Sequence, residues 1–172
     1  RDSSTSRGLG DVYKRQGEHL NVDSRSVHAF IIGEHGDSEL AAWSSATVSG
    51  VPINTFCEMR GHFNHDEATE RIAENVKNSA YEIIAKKKAT YFGVAMAVRR
   101  ICEAIIRDEK SILPVSNLMH GEFGISDISL SMPAIVGAHG VENRIPIALD
   151  EEETEKLQSS AGTLKKIIEE VL

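Results

Sequence analysis

One histidine, His35, stands in Gly33-Glu34-His35-Gly36-Asp37-Ser38-Glu39, directly after the apolar pair Ile31-Ile32. An imidazole exchanges a proton near neutral pH without environmental tuning, which suits it to general acid–base work. Glycines at 33 and 36 remove the Cβ atoms that would crowd a sharp turn or an approaching ligand. The preceding Ser26-Val27-His28-Ala29-Phe30-Ile31-Ile32 is rich in β-branched and aromatic residues and reads as a buried strand. His35 is therefore expected at that strand's carboxyl end. The plain alternative is a turn histidine with no chemistry.

Other side chains invite a metal. His62 and His65, followed by Asp66 and Glu67, are zinc-donor types, and His120 and His139 could be recruited. No third ligand follows at helical spacing, and a surface turn ahead of a helix explains the pair, so no metal is expected. Cys57 and Cys102 lie far apart without Cys-x-x-Cys spacing. They offer neither a disulfide framework nor a zinc knuckle, which suits a reducing compartment such as the cytoplasm.

The elements that must position His35 follow from periodicity. Asp37 and Ser38 are good N-cap types for a short helix through Ala41–Ser45, which Val48-Ser49-Gly50-Val51-Pro52 would end. Ile53–Met59 is ambiguous. Asn64 or Asp66 could cap a long helix whose Ile72, Ala73, Val76, Ala80, Ile83 and Ile84 recur at helical spacing, with Lys86-Lys87-Lys88 in its last turn. A second helix is expected from about Thr90 to Asp108, with Val94, Val98, Ile101, Cys102, Ile105 and Ile106 as its buried stripe. Short strands around Ile112–Val115, Ile125–Leu130, Ala134–Val136 and Arg144–Leu149 are punctuated by Gly121, Gly124, Gly137 and Gly140. No helical segment separates them, which favours an antiparallel meander. Asp150 followed by Glu153 reads as a capping box opening a last helix, with Leu157, Ala161, Leu164, Ile167, Ile168 and Val171 on one face. The order is α+β: long helices packed on antiparallel sheet.

A chain of 172 residues can bury a sizeable core. Residues 1–16 hold four basic and two acidic residues, so the remainder is more acidic than the net −7 of the whole. An acidic body with interspersed cations repels phosphate backbones, so nucleic acid is not an expected partner. No apolar run reaches the ~18 residues of a membrane helix, so none is expected to span a membrane. The first sixteen residues carry no apolar periodicity and are expected to be disordered; ending in Asp-Val-Tyr-Lys-Arg-Gln, they look like translated adaptor sequence. The domain reading is thus a tail at 1–16 and one folded domain at 17–172.

Gly33-Glu34-His35-Gly36-Asp37-Ser38-Glu39 resembles the active-site histidine motif of L-lactate dehydrogenases. From Gly17 to Leu172 the chain is similar to the carboxyl-terminal, substrate-binding half of the lactate/malate dehydrogenase family, bacterial type. The resemblance implies that family's carboxyl-terminal fold without its Rossmann half, and interconversion of pyruvate and L-lactate with NAD as cofactor. It makes His35 the proton donor and acceptor. Thr90 matches a threonine lining the substrate pocket; on its own it reads as a helix N-cap, and both roles can coexist. Ser79 and Ala80 match small residues of the same wall, although periodicity alone places Ala80 in the core. Val94 matches an aliphatic residue against the nicotinamide ring. His28 matches a histidine that binds fructose 1,6-bisphosphate between subunits of a homotetramer; as a strand residue it reads equally as structural.

The family's histidine is paired with an aspartate in an Asp-x-x-Arg motif whose arginine grips the substrate carboxylate. Here Gly8 and Asp11 stand at those offsets, and Tyr13 stands where an arginine would help His28. No G-x-G-x-x-G occurs in the chain. The parent is expected to be an enzyme and this chain alone to be inactive. Two alternatives remain: a malate or other 2-hydroxy-acid dehydrogenase, with Glu34 and Thr90 favouring lactate, and a non-catalytic oligomerisation domain.

Overall fold

In the computed structural model, which describes residues 20–61, 64, 67, 69–74, 85 and 91–171, the stretch expected as one strand divides between two sheets. Strand β1 (Val27–His28) belongs to one and β2 (Ile31–Ile32) to another. The break coincides with a boundary between two units, one within residues 20–30 and 43–103 and the other within 31–42 and 104–171.

Next in sequence comes β3 (Leu40–Ala41), which pairs antiparallel with β2 through Ile31↔Ala41 and Ile32↔Leu40. The helix expected over Ala41–Ser45 is thus replaced by this strand and a 3₁₀ turn at Trp43–Ser45. The reason lies in Ser38: its hydroxyl bonds the Glu34 carboxylate, so the residue closes a turn instead of capping a helix.

In the first unit, β1 pairs with β4 (Thr47–Val48), and β4 with β5 (Val51–Pro52), all antiparallel. Ser49 and Gly50 form the connecting two-residue turn with φ of 50° and 85°, the left-handed pair that a tight hairpin requires. Helix α1 (Ile53–Met59) follows at once and buries Ile53 and Cys57, one turn apart. Residues 69–74 are helical, with Thr69 and Ile72 buried. Helix α2 (Tyr91–Ile106) crosses the unit boundary near its end. Its expected stripe is not buried: Val94, Val98 and Ile106 are exposed, and Ala104 is the buried residue of α2. Helical spacing identifies an apolar face but cannot supply a surface to cover it.

The second unit holds the larger sheet, ordered β6 (Ser111–His120), β7 (Ser126–Gly137), β8 (Gly140–Arg144), antiparallel throughout as expected. Ile128, Leu130 and Met132 alternate on the buried face of β7, each fully buried aliphatic side chain contributing ~1.5–3 kcal/mol. The two short strands expected across 125–136 are one continuous strand. Pro133 does not break it, because it faces Pro114 on a single rung and its carbonyl accepts from the Ile145 N–H. The strand expected over Arg144–Leu149 ends at Arg144, two residues before Pro146, which has no N–H to donate.

The last helix, α3 (Glu151–Val171), starts as read: Glu153 N–H donates to Asp150 Oδ1 at 2.8 Å and Asp150 N–H to Glu153 Oε2 at 3.3 Å. Leu157 and Ala161 are buried, whereas Ile167, Ile168 and Val171 on the same face are exposed. No helix among the described residues is long and apolar enough to cross a membrane. Residues 1–16, most of the helix expected from Asn64 or Asp66, and Lys86-Lys87-Lys88 lie outside the described residues.

Candidate active site

The turn that carries His35 joins β2 to β3 and is fastened to β7. Gly33 and Ser131 exchange two backbone hydrogen bonds, at 3.0 and 2.9 Å. Because β6 occupies the other edge of β7, Gly33 continues the edge along which β8 pairs with Ala134–Gly137. Gly33 has φ +93°, and a Cβ there would stand 3.0 Å from Ser160 Oγ and 3.3 Å from Leu40 Cδ2. Any other residue is disfavoured twice, by backbone conformation and by crowding. At Gly36 a Cβ would run into the Glu34 carboxylate, which curls back beneath the turn.

That carboxylate is held by Ser38, whose hydroxyl donates to Glu34 Oε2 at 2.8 Å and whose N–H donates to the same oxygen at 3.3 Å. Glu34 N–H in turn donates to Ser160 Oγ of α3 at 2.9 Å. With Glu34 folded inward, the His35 ring projects outward, its side chain 88% exposed. Its Nδ1 lies 3.4 Å from Glu39 Oε2, a carboxylate that is itself only 13% exposed. This separation is longer than that of a strong charge-assisted hydrogen bond.

The effect on His35 is nonetheless directional. Bonding to Glu39 raises its pKa above the ordinary value of 6.5, partial desolvation opposes the rise, and the Glu39 and Glu34 charges add to it. A carboxylate at Nδ1 favours the charged form of the imidazole. The contact with Glu39 uses Nδ1, which leaves Nε2 of the exposed ring able to give or take a proton.

Glu39, Ser38, Glu34 and Ser160 were not singled out as site residues by sequence. The spacing of His35 and Glu39 was visible, but pairing across four residues is a prior only on a helix, and this is a turn. Nothing in sequence links Ser160 to a residue 126 positions earlier.

The remaining expected site residues are placed differently. His28 is exposed on β1, opposite Thr47, and Val94 is exposed on α2; both belong to the first unit, His35 to the second. Thr90, Ser79 and Ala80 lie outside the described residues, as do His62, His65 and Asp66. Among the described residues no group of three or more His, Cys, Asp or Glu is arranged to hold a metal ion.

The fold and turn together define an α+β domain that presents one carboxylate-paired imidazole from a glycine-framed loop. Residues 14–172 match the alpha/beta C-terminal domain of lactate/malate dehydrogenases, and the chain belongs to that family. It is 51% identical over 151 residues to an L-lactate dehydrogenase of Acetivibrio thermocellus, covering 88% of this chain and 48% of that protein. It is 46% identical over 168 residues to L-lactate dehydrogenase 1 of Lactococcus lactis subsp. lactis, covering 98% of this chain and 51% of that one. The crystal structure of the minor L-lactate dehydrogenase from Enterococcus mundtii in its ligand-bound form superposes with a TM-score of 0.90 at 40% identity, covering 99% of this chain and 54% of that chain. The chain thus spans about half the length of the curated relatives it matches.

Proposed function

We propose that this chain is the substrate-side half of an L-lactate dehydrogenase, with His35 as the group that moves the proton. The observation that supports this reading is the outward imidazole of His35, paired with Glu39 and fastened to β7 and α3. In the reducing direction the His35 imidazolium gives its proton to the carbonyl oxygen of pyruvate as that oxygen becomes a hydroxyl. In the oxidising direction the neutral ring takes the hydroxyl proton of L-lactate. NADH, when bound, supplies the hydride to the carbonyl carbon. The residues present suit only the nicotinamide end of that cofactor: Val94 is an exposed aliphatic side chain able to pack on a ring, and no glycine-rich phosphate loop occurs in the sequence.

Thr90, with Ser79 and Ala80, lines the pocket for the pyruvate methyl in this reading. His28 is the candidate for fructose 1,6-bisphosphate, which would favour an active homotetramer by binding it preferentially. Cys57 and Cys102 are free thiols, in keeping with a cytoplasmic protein.

The test is reconstitution. The chain alone is expected to show no NADH oxidation with pyruvate, whereas residues 17–172 joined to a homologous dinucleotide-binding half regain it. A hybrid that prefers oxaloacetate supports a malate dehydrogenase instead. One that turns over neither acid yet still associates supports a non-catalytic assembly domain, the reading favoured by the exposed apolar side chains of α2.

A further inference from the structure

Ser160 is a fully buried serine on α3, and its hydroxyl is spent on the turn that carries His35. Its Oγ accepts from Glu34 N–H at 2.9 Å and lies 3.1 Å from Ser38 Oγ. A hydroxyl has one proton and a carboxylate only accepts, so the Ser38 proton goes to Glu34 Oε2 at 2.8 Å. The proton between the two hydroxyls is therefore that of Ser160. This closes a circuit: Ser160 O–H to Ser38, Ser38 O–H to the Glu34 side chain, and Glu34 N–H back to Ser160. The turn residues of the circuit, 34 and 38, bracket His35, and Gly33 lies so close to Ser160 that a Cβ there would stand 3.0 Å from its hydroxyl.

We infer that Ser160 is a positioning residue, which locks the His35 turn onto α3 and so sets where the imidazole stands, without touching substrate. The consequence for turnover rests on the proton-transfer role proposed for His35; the tie itself does not. Circuits of linked hydroxyls shielded from solvent at one end are cooperative, so loss of one member loosens the others.

The experiment uses the full 172-residue chain, followed by NMR titration of its histidine rings and by amide hydrogen exchange. In Ser160→Ala the Glu34 amide loses its acceptor and is expected to exchange about tenfold faster. The His35 titration midpoint falls toward the ordinary value as the pairing with Glu39 loosens. Ser38→Ala, which opens the circuit from the exposed side without altering α3, moves His35 in the same direction, and the double variant moves it no further than either alone. If Ser160→Ala folds and leaves both readouts as in the wild type, the inference is overturned. If that variant does not fold, an unmoved His35 midpoint in Ser38→Ala overturns it. A reconstituted enzyme with no turnover, beside a shifted His35 midpoint in these variants, refutes the proton-transfer role and leaves the tie standing.

Discussion

Glu39 is the charged neighbour that matters most to His35. Its carboxylate is mostly shielded and holds the ring's Nδ1 side, so the charged form of the imidazole is favoured in the fold relative to the unfolded chain. A histidine whose folded pKa is raised contributes stability that is fully present below the ordinary value of 6.5 and is lost as pH rises through the raised midpoint. Because the ring is largely exposed, solvent screens this pairing and the contribution is small. In Glu39→Gln the His35 midpoint should fall toward the ordinary value, and the stability difference from wild type should vanish at alkaline pH. A midpoint unmoved in NMR titration would show that Glu39 does not hold the ring. The glycines and the histidine of this turn were legible from residue type alone, since each has a stereochemical or protonic reason to be there. The uses of Glu34, Ser38 and Glu39 were not, because a turn can send the same side chains to several partners.

Among elements, α3 was read most faithfully and the segment after His35 least. Asp150 and Glu153 form the reciprocal box that their spacing implied, since capping is local and owes nothing to distant residues. Asp150→Ala should therefore destabilise the chain by ~0.5–2 kcal/mol in urea unfolding. A midpoint equal to wild type would mean that the start of α3 does not limit stability. Asp37 and Ser38 misled for the opposite reason: N-cap residues also close turns, and the pairing of β2 with β3 decided between them. Pro133 lies inside β7, where its opposite number on β6 is Pro114. Periodicity found the apolar face of α2 but gave no sign that Val94, Val98 and Ile106 would be exposed.

At the scale of the whole molecule, family membership and length belong together. The chain matches the alpha/beta C-terminal domain of lactate/malate dehydrogenases and spans about half of the L-lactate dehydrogenases it resembles. Its division into two units puts His35 in one and His28 and Val94 in the other, so the roles proposed for them are separable by experiment. Family and fold class were legible because one seven-residue turn is specific and the order of helices and strands agrees with it. The contact between Glu39 and His35 was not, because a spacing of four residues outside a helix does not imply that two side chains meet. The most direct test of the central claim is the turnover number of the reconstituted hybrid with pyruvate and NADH, measured with His35 and with His35→Asn. Loss of a positioned acid predicts a fall in kcat of about 10²–10⁴-fold with the hybrid still folded. An unchanged kcat would contradict the assignment of the proton to His35.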